Sequence, residues 1–338
     1  MPVERALPAG CPSFRTRVSN MKYRFGLAHL LWLSIVVAPA SGCNQASGDR
    51  SVSEEALFVE DEIAPGTSSL DRRPVVILGF MQPIGTMVTT KAHQPLLDYL
   101  TAETPYRFRV LFSTDSERQV GVLEERLVEM AHLEVVSYLE AHRQFGAVPL
   151  VRTLNRDGEP VARSVFVVRE GSPLRDVTDL TGRSLALGSF HSTLSHLIPR
   201  HELLRAGVSI EDLGALEHFD NDEAVADAVL GGRFDAGAVE DAVAYRYREK
   251  GLGVLHVSDP IPTAPLVIRG DLPQRVSRAI REALLKLDFH QTKNRQHWDE
   301  AIRYGFAPAT DSDYDPIRDI AGIMSGSCAK GCHAGVKF

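Results

Sequence analysis

The sequence predicts an α/β fold of parallel sheets covered by helices, on three observations. Short β-rich runs alternate with helical segments through the body of the chain. The 338 residues are 44% hydrophobic, enough for one large core or two ordinary ones. None of the four cysteines, Cys11, Cys43, Cys328 and Cys332, lies in the body between Cys43 and Cys328, so the fold is not a disulfide scaffold.

The elements follow in order. Pro74–Gly79 reads as a buried strand, with a loop over Phe80–Thr90. A helix over His93–Thr101 places Leu96, Leu97 and Leu100 on one face. Tyr106–Phe112 alternates as a strand, and Val120–Met130 reads as helical. Gly146–Leu154 and Ser164–Val168 read as strands, separated by the turn Asn155–Gly158. Leu174–Leu180 leads into Gly182, Ser184–Leu187 is a short strand, and a helix starts near Ser192. Phe234–Val239 is a strand followed by a helix over Asp241–Lys250, and Val254–Val257 is a strand. Leu272–Leu287 is a long helix whose Val276, Ile280, Ala283, Leu284 and Leu287 share a face.

A formal net charge of -7 argues against a nucleic-acid binder. No Ser-His-Asp order, nucleotide-binding loop or clustered metal motif appears in the body, so catalysis is not expected there. The ends read as addresses. Lys22 and Arg24 precede an apolar run, Leu27–Val37, of about ten residues, too short for a membrane span. Ala40-Ser41-Gly42-Cys43 is similar to a bacterial lipobox, in which Cys43 carries the lipid; an ordinary signal with an incidental cysteine is the plain alternative. Residues 1–43 are thus expected to be a signal peptide with its true start at Met21, and residues 44–73, rich in Ser, Asp, Glu and Gly, a flexible tether. The expected location is the periplasm or cell exterior, lipid-anchored to a membrane. In the tail, residues 324–338, Cys328, Cys332 and His333 form Cys-x3-Cys-His. Three readings stay open: a disulfide or free thiols, a c-type haem with His333 as axial ligand, or another metal. No cofactor is otherwise implied.

Six stretches in order carry a resemblance over about residues 75–323: Asp179–Ala186, Gly188–Pro199, Gly232–Val239, Ile261–Pro273, Gly305–Pro308 and Asp313–Arg318. The chain resembles the phosphate/phosphite/phosphonate-binding proteins of ABC importers, within the type II periplasmic-binding-protein fold. The resemblance implies two lobes joined by two crossing strands, lobe one at 74–168 plus 262–323 and lobe two at 169–261, each a mostly parallel sheet flanked by helices. It implies capture of a small oxyanion such as phosphate, phosphite or a phosphonate in the cleft, with a permease and its ATPase as partners. A sensing module for a membrane receptor, or an electron carrier with a haem on its tail, are the alternative functions.

The loop Ser189–Ser195 is the expected ligand site. A helix starting near Ser192 leaves its first N–H groups without acceptors, and Ser189, Ser192, Thr193 and Ser195 add hydroxyls, as an oxyanion cradle needs. A plain helix cap is the alternative. His191 is a candidate charged helper or a surface histidine. Glu240 and Asp241 stand where the family places carboxylates that meet a ligand amine; a helix N-terminal acidic pair is the alternative. Tyr138 matches a family position in lobe one, or is a buried aromatic. Leu194, Glu134, His132 and Asn221-Asp222 depart from the family pattern.

Overall fold

Alternating exposure along Val75–Met81 makes the first strand, β1, so Phe80 and Met81 belong to the strand rather than to the loop expected there. The computed structural model describes residues 72–81, 90–287 and 295–328. Helix α1 (Gln94–Glu103) follows and buries Leu96, Leu97 and Leu100, each worth roughly 1.5–3 kcal/mol. Then come β2 (Arg107–Ser113), α2 (Ser116–Glu124), β3 (Met130–His132), α3 (Val135–Phe145) and β4 (Val148–Thr153). The helix expected over Val120–Met130 begins and ends earlier. Asp115 caps α2 by accepting from the Arg118 N–H at 2.8 Å, and Arg126, in the left-handed region at φ 64°, ends it. Met130 is thereby free to start β3.

The chain crosses to a second sheet through β5 (Val161–Ala162) and returns through β11 (Ile261–Pro262); the two pair with each other, antiparallel. Between them lie β6 (Ser164–Arg169), β7 (Ser184–Leu187), α4 (Ile198–Arg205), β8 (Ala215–His218), α5 (Asp222–Leu230), β9 (Ala236–Glu240), α6 (Asp241–Arg248) and β10 (Leu252–Val257). The boundary expected at 168/169 therefore moves: β6 pairs with β9 and β10, and the turn Asn155–Gly158 connects β4 to the short crossing strand instead. After β11, β12 (Pro265–Ile268), α7 (Gln274–Lys286), β13 (Phe306–Pro308) and α8 (Asp315–Cys328) complete the first sheet and its cover.

The first sheet has strand order β13-β4-β12-β3-β1-β2 and the second β10-β6-β9-β7-β8. Most strands share one direction in each sheet, β1–β4 in the first and β7–β10 in the second, but only β1–β2, β1–β3, β7–β8 and β7–β9 are parallel neighbours. The antiparallel pairs arise where β12, β13 and β6 run the opposite way. Each sheet buries an apolar cluster on both faces. One of these joins the sheets: Leu197 and Ile198 pack with Val135, Tyr138, Tyr314 and Ile317.

Candidate functional site

Parallel strands bring their carboxyl ends to one edge, where open α/β sheets bind ligands. In the second sheet β7, β8 and β9 are mutually parallel, so the residues after them share an edge. These are the loop Gly188–Ser192 and the helical turn Thr193–Leu197, then Asp222 at the start of α5, then Glu240 at the end of β9. In the first sheet β1, β2 and β3 are parallel, and the chain leaving β3 reaches Glu134, the residue just before α3.

The hydroxyls of the predicted cradle are all engaged. Ser192 caps its turn, its Oγ accepting from the Ser195 N–H at 3.2 Å and from the Ser195 hydroxyl at 2.8 Å. The plain capping role is thus filled. Ser195 is fully buried and also bonds Asp222. This needs Gly188, since a Cβ there would lie 2.0 Å from the Ser195 Oγ. Thr193, 1% exposed, bridges the lobes: its Oγ1 accepts from the Val136 N–H at 3.1 Å, and its hydroxyl bonds Glu134. The Thr193 N–H points at the Glu134 Oε2 at 3.5 Å. The protein's own carboxylates take the acceptor places of an oxyanion.

Glu134, Asp222 and Glu240 are close enough for Asp222 to raise Glu134 and for both to raise Glu240. Each keeps some exposed surface while protein encloses it, as groups lining an internal cleft do. Burial first, then Asp222, pushes Glu134 up to about 7, against the bonds from Thr193. Burial raises Asp222 to about 6, although the Glu240 N–H donates to it at 2.6 Å. Glu240 rises well above the usual carboxylate range through burial and then through Glu134, Asp222, Asp241 and Glu300. Around this centre Arg246 of α6 pairs with Glu223 and, across the cleft, with Glu300. The Arg156 guanidinium lies 3.6 Å from the ring centre of Tyr245.

The other predicted residues are distributed unevenly. Asp241, raised by burial, opens α6 beside Glu240, with its N–H bonded to the Arg163 carbonyl. Ser189 turns the loop, accepting at its carbonyl from the Ser192 N–H. The His191 N–H lies 3.4 Å from the Ser189 Oγ. Tyr138 is not among the converging groups. It is fully buried, packs against Tyr314, and donates to the Asp311 Oδ1 at 2.5 Å. Sequence reading marks Glu134 and Asp222 only as departures from a family pattern; the structure joins them to Glu240.

His196, a histidine of the turn itself, is buried rather than at the surface and belongs to a chain of polar contacts. The Arg200 guanidinium donates to His196 Nε2 at 3.3 Å, and His196 Nδ1 meets His218 Nε2 at 3.0 Å. Arginine has no acceptor, so His196 carries its proton on Nδ1 and donates onward to His218. Burial and then Arg200 hold His196 at about 3 and His218 at about 4, so both are neutral. Phe190 stacks on His218 with centroids 3.9 Å apart.

Among the described residues, no group of His, Cys, Asp and Glu side chains is arranged to hold a metal ion, and no helix is long and apolar enough to cross a membrane. The signal segment with Cys43, and Cys332 and His333 of the tail, lie outside the described residues; Cys328 is described only as the last residue of α8.

The family model for periplasmic substrate-binding proteins of phosphonate ABC transporters matches residues 83–314. A phosphonate-transporter binding protein of Pseudomonas aeruginosa is similar in structure, with TM-score 0.66 and 18% identity over 78% of this chain and 91% of its own. A protein of Prochlorococcus marinus, solved with methylphosphonate, has TM-score 0.66 and 20% identity over 75% and 99%. A protein of Xanthomonas citri, solved with ATP, has TM-score 0.60 and 24% identity over 74% and 97%.

Proposed function

Since the chain belongs to the family of periplasmic substrate-binding proteins of phosphonate ABC transporters, whose members bind solutes for transport rather than catalyse, we propose that it captures a small zwitterion for such an importer. The ligand has an oxyanion head and a protonated amine. The head meets the turn Ser192–Ser195; the amine faces Glu134, Asp222 and Glu240. One observation carries this reading: three carboxylates from both lobes converge beside the hydroxyl-rich turn. A bare dianion there meets like charge, whereas an ammonium group neutralises the cluster and frees Thr193 and Ser195 to donate to the head. The closed lobes open by hinge motion at β5 and β11 to admit it. Calorimetric titration with inorganic phosphate, methylphosphonate and 2-aminoethylphosphonate tests the reading. The aminophosphonate is expected to bind tightest. Equal binding of methylphosphonate would remove the amine from the proposal, and silence from all three would remove the ligand class.

Membrane attachment through a lipid on Cys43 belongs to the same proposal, supported by the apolar run and the small residues before it. Cys43→Ala is expected to move the protein from the membrane to the soluble fraction, or to leave it unprocessed. An unchanged fraction and unchanged mass argue for an ordinary signal.

A further inference from the structure

The carboxyl ends of β1 and β2 hold a side chain the ligand reading above does not use. Gln119, on the inner face of α2, is 1% exposed, and neither its Nε2 nor its Oε1 has a hydrogen-bond partner. Ser113, the last residue of β2, is 3% exposed, and its Oγ is also without a partner. Burying an amide with both ends unsatisfied is costly, and most buried amides are paired.

The backbone makes room for this amide. Gly79 stands near the end of β1, and a Cβ there would lie 2.9 Å from Gln119 Nε2. A glycine inside a strand often marks a close approach by a ligand or another group. Gly79 pairs with Leu111 of β2 and Ala131 of β3, so Gln119 lies under the parallel part of the sheet. The chain leaving β3 reaches Glu134 at this same edge. Other unpartnered groups gather there on the opposite face: His93 Nδ1 and His132 Nε2, both neutral through burial and both beside Phe80.

We propose that Gln119, with Ser113, is the lobe-one hydrogen-bonding contact for the captured solute. This rests on the cleft reading above and adds a specificity-determining residue to it. An amide offers both a donor and an acceptor without charge, so it suits the polar middle of a zwitterion rather than either charged end. A ligand lacking a polar group at that place would leave the amide unpaired and be rejected.

Gln119→Leu keeps the volume and removes both polar atoms. Urea unfolding of the ligand-free protein is the first measurement. The variant is expected to match or exceed the wild type, because no protein partner is lost; a clear loss of stability would mean the amide already has a partner, and would overturn the proposal. The second measurement is calorimetric titration with whichever of inorganic phosphate, methylphosphonate and 2-aminoethylphosphonate binds the wild type best. Gln119→Leu is expected to lose about tenfold in affinity, and Ser113→Ala somewhat less, in proteins of unchanged fold. If the wild type binds none of the three, the ligand class fails and the Gln119 proposal, which rests on it, is overturned with it; binding by the wild type with unchanged affinity in Gln119→Leu overturns the Gln119 proposal alone.

Discussion

The two edges that face each other across the cleft are furnished differently. On the second sheet's edge the turn's hydroxyls are engaged: Ser192 with Ser195, Ser195 with Asp222, Thr193 with Glu134 and Val136. On the first sheet's edge the side chains of Ser113 and Gln119 are buried with no hydrogen-bond partner. The carboxylates Glu134, Asp222 and Glu240 lie between. A turn whose bonds are complete is preorganised, and a ligand must exchange for bonds that already exist. A wall with vacant donors and acceptors gains bonds outright when filled. Affinity at the first therefore depends on what leaves, and at the second on what arrives.

The largest expected effect tests the completed wall. Thr193→Val removes the hydroxyl that links Glu134 to the turn while keeping the buried shape. Hydrogen bonds to charged groups are worth roughly 1.5–3 kcal/mol, so affinity for the best-bound phosphonate is expected to fall about ten- to a hundredfold in calorimetric titration. An unchanged constant would reduce Thr193 to a cap and take the turn out of the ligand site.

Next comes a residue that belongs to neither wall. Tyr138 donates to Asp311, which burial would raise but which Tyr138, His142 and Arg318 together hold below its usual range. Tyr138→Phe is expected to lose roughly 1.5–3 kcal/mol of stability in urea unfolding and nothing in ligand affinity. A loss of affinity with stability intact would return Tyr138 to the cleft.

The smallest effect sharpens the charge between the walls. Glu134 and Asp222 have pKa values raised from 4.5 and 3.8 to about 7 and about 6, so the fold favours their protonated forms. Their contribution to stability is full below the unfolded values and is lost as pH rises through about 6 to 7. His132, His196 and His218 act the other way, since the fold holds them neutral and protonation below their ordinary 6.5 favours unfolding. Asp241 and Glu300 raise Glu240 further, and Arg246 lowers Asp222. Comparing wild type with Glu134→Gln isolates one group: the variant is expected to gain on the wild type in melting temperature between pH 5 and pH 7.5. Parallel curves would show that Glu134 ionises as freely in the fold as outside it.

Much of the fold was legible in local pattern. Ser184–Leu187 is bounded as read, and α7 buries Val276, Ile280, Ala283 and Leu284 as its periodicity requires. Several elements went unread, α3, β8 and α5 among them. β8, Ala215–His218, is a half-exposed edge strand, and α5, Asp222–Leu230, is mostly alanine and valine with a weak polar face. Missing α5 hid the position of Asp222. The site was legible as chemistry but not as assembly. The hydroxyl turn stands out locally, whereas the meeting of Glu134, Asp222 and Glu240 depends on which strand ends share an edge, and that is a long-range property. The sheet to which β6 belongs is decided by its partner strands β9 and β10, far along the chain.

The crossing ladder of β5 and β11 has a consequence for how the chain reaches its fold. The second sheet is inserted whole between β4 and β12, and β12 lies between β3 and β4 in the first. Until β12 has left the ribosome, β4 has no neighbour and the core of the first lobe stays open. The inserted lobe is complete in sequence earlier, since all its strands lie between Ser164 and Val257. A chain stopped after Pro262 would hold every strand of the second sheet beside an unfinished first one. Vectorial synthesis therefore favours an order in which the later lobe by position is the earlier one to close.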